Sequence, residues 1–377
     1  MEPHSPIAVN LARLRADQGL TQAELAKRAR ISRVALGMIE RGEALPRSDT
    51  LSQLAHALRV PLRELVVARD PLTGVRFRAK KRVKGREQIL AEVSGWLSAY
   101  RWLESELGAL KPFALDAVVG PERSVEDLAL GGRSLLGLKL TEPIRDICGL
   151  LEDNGVKVLL LDRKTDAFFG LSVAPGGGGP AVVVNTWERI SVERWIFTAA
   201  HELGHIVLHR DSYDRSRAEE PPDEEREADR FASQLLMPDE AFESEWEQTR
   251  GLPFLFRVLK VKRMFKVSYK TVLHRLVESG REPREVWRAF QLQHKQHFGT
   301  TLRKIDEPDR LQEGEFRLDW TRSGEPDALS ESDFLQGRLS RLVRMALEKD
   351  RISLSRAAEI LGISRMEMRE LARSWGQ

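Results

Sequence analysis

The sequence predicts a mostly α, α+β protein in three parts: an N-terminal helix-turn-helix bundle, a central domain that sets helices against a small β-sheet, and a helical C-terminal region. Three observations carry this prediction. Capped, apolar-periodic helices follow one another through the first 68 residues. Short β-like runs at 156–162, 168–173 and 181–185 precede a long helical stretch containing His201-Glu202-Leu203-Gly204-His205. Residues 337–375 are helical again. The expected organisation is a helix-turn-helix domain at 1–68, a basic linker and connecting helix at 69–125, the central domain at 126–290, a polar linker at 291–332 and a C-terminal helical segment at 333–377.

With 377 residues, 41% hydrophobic and 31% charged, the chain can bury sizeable cores. It begins Met1-Glu-Pro-His-Ser-Pro6, unlike a signal peptide, and no apolar run approaches the ~20 residues that cross a bilayer. A cytoplasmic protein without membrane partners is expected. The single cysteine, Cys148, lies in an apolar helical pattern and reads as a buried structural thiol rather than a nucleophile. Net charge is +3, yet Arg76, Arg78, Lys80, Lys81, Arg82, Lys84 and Arg86 form a run with no acidic residue. Such a run can track phosphates or serve as a solvated linker.

In the first segment, helices are predicted over 7–18, 21–29, 32–40 and 50–58. Gly19 ends the first. Thr21 with Glu24 makes a capping box for the second, Ser32 caps the third, and Gly42 follows it. The second and third are joined by so few residues that Ile31 is expected to be buried at the corner of a helix-turn-helix, with the third helix turned outward. The segments Leu20-Thr-Gln-Ala-Glu-Leu-Ala26, Ile31-Ser32-Arg33 and Ile39-Glu40-Arg41-Gly42 resemble the Cro/repressor (XRE) class of helix-turn-helix domains. The resemblance implies double-stranded DNA as a partner. It also implies that Gln22 anchors the second helix at the DNA backbone and that Arg33, Val34, Leu36 and Gly37 lie on or near the groove-facing surface. A four-helix module that binds protein is the competing reading.

Residues 86–107 carry apolar side chains at helical spacing and read as a packing or dimer helix, leaving a homodimer open. Another helix is predicted over 141–154. The loop Pro175-Gly-Gly-Gly-Gly-Pro180 is not a phosphate cradle, because a strand rather than a helix follows it and no Lys-Ser or Lys-Thr does.

In the central helix Ser191 can cap the start, and Glu193 suits the positive end of the dipole. His201 and His205, one turn apart, then project from one face at a separation that a single metal ion can bridge. Glu202 lies beside the ion and can take a proton from its water, as H-E-x-x-H chemistry requires. The competing reading is an amphipathic helix with two surface histidines. A catalytic zinc site needs a third protein ligand. His209 does not qualify, since ~1.5 Å per residue places it ~12 Å along the helix from His201. In the acidic stretch 223–238, Ala228, Ala232 and Leu235 or Leu236 mark a buried face that Glu225 continues one turn earlier, while Glu224 and Glu227 fall to the sides. Glu225 is therefore the expected third ligand, and Asp229 is placed to orient His201 or His205 from behind.

The stretches Val182-Val-Val-Asn185, 197–209, 225–238, Phe265-Lys-Val-Ser268 and Arg275-Leu276 resemble the ImmA/IrrE family of metallo-endopeptidases. The resemblance implies a zincin fold, Zn2+ held by His201, His205 and Glu225, Glu202 as general base, and a repressor of the helix-turn-helix type as the protein cleaved. A donor for the oxyanion is not identified; Tyr213, Tyr269 and His274 are candidates. The alternative is a transcriptional regulator whose peptidase-like domain serves only as a metal- or ligand-sensing scaffold.

At the C-terminus, Ile352-Ser-Leu-Ser-Arg-Ala-Ala-Glu-Ile-Leu-Gly-Ile-Ser-Arg365 repeats the spacing of residues 20–33, and Val267-Ser268 echoes the same corner. A second helix-turn-helix-like unit is expected over 353–374, in a geometry that also serves protein packing.

Overall fold

The structure, a computed structural model, describes residues 6–60, 62–66, 72, 74–79, 85–118, 124–213, 221–303, 306–308 and 329–375. The chain divides into two compact units, Met1–Leu72 with Arg82–Ala99, and Thr73–Lys81 with Tyr100–Gln377.

In the first unit, α1 (Pro6–Asp17), α2 (Gln22–Arg28), α3 (Arg33–Glu40), α4 (Ser48–Ala57) and a short α5 (Arg63–Val66) close on Leu11, Leu25, Leu36, Ile39, Leu54 and Leu65. The capping box of Thr21 and Glu24 and the Ser32 cap form as the sequence predicts. The short α5 has no sequence signal; Asn10 anchors it by donating to the Leu65 carbonyl. Ile31 is half-buried rather than buried.

Two expected DNA contacts are corrected. Leu36 is wholly buried among the helices, because helical phase turns it opposite to exposed Val34. Gly37 is buried too, and the Arg41 guanidinium lies across it, 3.1 Å from where a Cβ would stand. The outward face of α3 consists of Arg33, Val34 and Met38. Gln22 is engaged within the domain, donating at 2.7 Å to Glu40, which also pairs with Arg15.

The strand β1 (Val75–Ala79) falls inside the basic run read as a linker. It pairs antiparallel with β3, so this part of the run is sheet rather than tether. Residues 80–84 of that run lie outside the described residues. The helix α6 (Arg86–Glu106) comes next. No helix among the described residues is long and apolar enough to cross a membrane.

The second unit continues with α7 (Val125–Leu135), α8 (Ile147–Asp153), β2 (Lys157–Leu161), β3 (Phe168–Val173) and β4 (Ala181–Asn185). The helix expected over 141–154 is only α8: Pro143 disfavours helix just before it, and Asp146 caps the start by accepting from the Gly149 amide. Cys148 is buried, and burial pushes its thiol pKa up. The sheet order is β1-β3-β4-β2, parallel only between β2 and β4. Asn185, fully buried at the end of β4, accepts from the Arg163 amide and donates to the carbonyls of Arg163, Thr165 and Phe168, tying down the β2–β3 connection.

Against this sheet lies α9 (Val192–Leu208), and α10 (Pro222–Leu236) packs on α9 and α7, followed by α11 (Asp239–Gln248), α12 (Phe254–Phe265), α13 (Tyr269–Glu278) and α14 (Val286–Phe298). The last of these runs through the boundary expected at 290. Phe334, beyond the expected linker, packs on Trp195 of α9 with ring centres 6.0 Å apart. Residues 309–328 of that linker lie outside the described residues. The chain ends in α15 (Arg338–Glu348), α16 (Leu354–Leu361) and α17 (Arg365–Ser374).

Candidate metal centre

The centre begins with how closely α9 approaches its neighbours. Ser191 caps the helix at the Arg194 amide. At Gly170 of β3, a Cβ would stand 2.6 Å from Thr198 Cγ2 and 3.3 Å from Glu202 Oε1. Only glycine lets α9 lie so near the strand, and the Glu202 carboxylate rests over that gap. On the other side of α9, a Cβ on Gly204 would meet Phe231 at 3.1 Å and the Ala228 backbone at 3.3 Å. The middle glycine of the motif thus lets α10 come close enough for its carboxylates to reach the histidines.

The far end of α10 is fixed by buried Arg275, which donates to Ser233 Oγ at 2.8 Å and to the Met237 carbonyl at 3.1 Å and pairs with Asp239. His201, Glu202 and His205 are buried. The Nε2 atoms of the two histidines stand 2.9 Å apart, and Glu225 reaches them at 3.1 Å (His205) and 3.6 Å (His201). One ligand atom from each of His201, His205 and Glu225 lies within 4.8 Å of the others, a set that could hold a metal ion.

Behind the ligands, each remaining ring nitrogen has a partner. His201 Nδ1 lies 2.8 Å from Asp229 Oδ1. His205 Nδ1 lies 2.9 Å from His209 Nδ1, and His209 Nε2 lies 2.9 Å from Glu227 Oε2. One proton assignment satisfies the whole set. If both Nε2 lone pairs face the metal, Nδ1–H of His201 donates to Asp229 and Nδ1–H of His205 donates to His209, whose own proton on Nε2 goes to Glu227. Burial pushes the His205 pKa down to about 3 against the opposing pull of Glu225, and burial also lowers His209. Neutral imidazoles are the form that binds metal.

Of the five carboxylates crowded into the first turns of α10, Asp223 pairs with Arg226 of the same helix, Glu225 and Asp229 reach the histidine pair, and Glu227 reaches His209. Glu224 pairs with buried Arg76 of β1 and accepts from Ser212 at 2.9 Å. Burial would raise its pKa, but the hydrogen bonds from Arg76 and Ser212 prevail and lower it. Arg76, part of the run read from sequence as either phosphate-tracking or a solvated linker, is thus committed to this unit. Its guanidinium also lies over the Tyr213 ring, 5.9 Å from the centre, and Tyr213 donates to Ser172 Oγ of β3 at 3.1 Å. Of the other oxyanion candidates, Tyr269 is buried against Phe290 with its pKa pushed up by burial to about 12, and His274 sits exposed beside Trp287. The sequence singled out neither Arg76 nor the contact of His209 with His205. The i, i+4 spacing of His205 and His209 was the available signal for the second.

Comparison with known proteins bears on both units. The family described as IrrE N-terminal-like domain, Peptidase M78, matches residues 152–277, and a helix-turn-helix family matches residues 11–65. An uncharacterized HTH-type transcriptional regulator of Sinorhizobium fredii, y4dJ, is 41% identical over 70 residues, which are 19% of this chain and 91% of that protein. The crystal structure of the clp gene regulator ClgR from C. glutamicum is 33% identical, covering 17% of this chain and 86% of that one, with a TM-score of 0.16. The region with the three converging donors is thus the region that matches the peptidase family, and the chain belongs to the HTH-type transcriptional regulators, joined here to an IrrE-like domain of the Peptidase M78 family.

Proposed function

We propose that this regulator acts in the cytoplasm as a zinc-dependent endopeptidase, and that its substrate is a repressor of the helix-turn-helix type, cut in a stress or mobile-element response. The observation that carries hydrolysis is the convergence of His201, His205 and Glu225, with Glu202 buried on the same helix. Two imidazoles and one carboxylate are a donor set that suits Zn2+; bound there, it would supply polarisation of the scissile carbonyl and a more acidic water.

The chain's own groups do the rest. Glu202 takes the proton of the attacking water and passes it to the leaving amine nitrogen. Asp229 holds the ring of His201, and Glu227 holds that of His205 through His209, so both ligands keep one tautomer and one orientation. Tyr213 is our choice of oxyanion donor, its one hydroxyl proton turning from Ser172 to the developing charge. The substrate class rests on the family resemblance and on the repressor-like domain carried by the same chain.

The test uses full-length protein, wild type and Glu202→Gln, incubated with zinc and purified helix-turn-helix repressors. Wild type is expected to cleave. Glu202→Gln is expected to retain zinc near the wild-type content and cleave nothing. Equal cleavage by the variant rejects the role of Glu202. Zinc bound by both proteins, with no repressor cut by either, favours the sensing scaffold.

A further inference from the structure

Three places in the chain share one turn. Between α2 and α3, Arg30 has φ 56°, the Ile31 amide returns to the Ala26 carbonyl at 3.0 Å, and Ser32 caps the next helix. Between α16 and α17, Gly362 has φ 69°, the Ile363 amide returns to Ala358 at 3.0 Å, and Ser364 caps. Between α12 and α13, Lys266 has φ 53°, the Val267 amide returns to Lys262 at 3.1 Å, and Ser268 caps. The turn alone identifies no ligand. The first residues of the capped helix separate the three.

In α13 the first residue after the cap, Tyr269, is 2% exposed, and the helix packs into the core. In α3 and α17 the second residue after the cap points outward: Val34 is 71% exposed and Met366 70%. The inward anchors correspond as well. Leu25, Ala26 and Leu36 are buried in one unit, as Ala357, Ala358 and Met368 are in the other. The α17 helix is therefore presented as α3 is, and α13 shows the same turn used for packing.

The outward side of α17 has a definite charge pattern. Arg365, Arg369 and Arg373, all exposed, recur every fourth residue and so form one row with ~6 Å between steps. No carboxylate among the described residues pairs with any of them. Glu367 is turned back onto the Ser364 amide by the cap at 2.8 Å, leaving exposed Glu370 as the other acidic residue of the helix. The element is also firmly mounted. Buried Glu152 accepts from the Gly337 and Arg338 amides at the start of α15 at 3.0 and 2.8 Å, and Arg338 pairs with buried Glu104 at 2.8 Å.

We propose that α16 and α17 form a second helix-turn-helix that binds duplex DNA, with α17 facing the nucleic acid and Arg365, Arg369 and Arg373 meeting phosphates. A row of guanidinium groups on an outward helix complements a phosphate backbone and offers a protein partner no apolar patch beyond Met366. The test uses the full chain in two forms.

In the first, Arg365→Gln, Arg369→Gln and Arg373→Gln are combined; glutamine keeps helix propensity, and circular dichroism checks the fold. Binding to a mixed-sequence duplex is followed by anisotropy across a salt series. Each phosphate contact adds about 0.9 to the slope of log affinity against log salt, so the slope is expected to become shallower by about two to three. The second form exploits the burial of Cys148, the single cysteine. Met366→Cys then carries the reactive thiol, and a photo-crosslinker there is expected to capture the duplex, whereas one at Leu292→Cys on α14 is not. Both results are required. An unchanged slope, or capture at neither position, assigns DNA binding to the N-terminal unit alone and α17 to a protein partner, and overturns the proposal.

Discussion

Helices α9 and α10 supply the same centre from opposite physical conditions. The former is buried almost along its whole length, so its polar groups must be neutral or compensated, and burial pushes the His205 pKa down. The latter buries one face only: the Glu225 side chain is 27% exposed and that of Asp229 50%. Carboxylates at the border of solvent avoid much of the desolvation cost of a buried charge. The centre therefore takes its nitrogen donors from the core helix and its carboxylate donor from the border helix. Failures on the two sides should look different.

The largest effect expected short of emptying the site comes from the border side. Asp229→Ala removes the acceptor behind His201 and should weaken zinc affinity by roughly 10- to 100-fold with little change in fold. Competition with a metal-binding dye measures it, and an unaltered affinity would mean that the contact is incidental.

The core side is tested by pH. His205 has a folded pKa of about 3 against an ordinary 6.5. Below 6.5 the unfolded chain gains a proton that the fold does not accept, so stability is present above 6.5 and lost as pH falls toward 3. Metal-stripped protein should lose about 1 kcal/mol per pH unit from this residue alone. Urea melts from pH 7.5 down to about 5 measure it. His205→Asn should show a shallower dependence than wild type, and parallel curves would sink the assignment.

The smallest effect should follow Glu227→Gln, since this side chain acts one ring further back, through His209. Zinc affinity should fall by no more than about 10-fold, at the low end for such supporting contacts. A loss larger than that of Asp229→Ala would reverse the order of the two supports.

Much of this architecture is legible in the sequence because its signals are local. Two histidines one turn apart, a serine cap and the apolar phase of α10 require only helical geometry, and that phase points to Glu225, which the fold brings within reach of both histidines. The missing parts depend on contacts between distant segments. The alternation Val75-Arg76-Phe77-Arg78-Ala79 is a strand pattern, but its arginines make it read as a charge run. Nothing near Arg76 in sequence announces Glu224. A fragment ending at residue 88 would separate this strand from the sheet it completes. Gly170 and Gly204 look like weak points in a strand and a helix until the neighbours that require them are known. Leu36 departs from expectation for the opposite reason: family likeness implies a surface role, whereas its local helical phase buries it.

The central claim is that one helical phase of α10 selects the metal ligand from five crowded carboxylates. Zinc stoichiometry, measured on purified full-length Glu225→Ala and Glu224→Ala, tests it most directly. Glu225→Ala is expected to lose the metal. Glu224→Ala, which breaks the pair with Arg76, should keep it and lose stability instead. Zinc retained by Glu225→Ala and lost from Glu224→Ala would contradict the assignment.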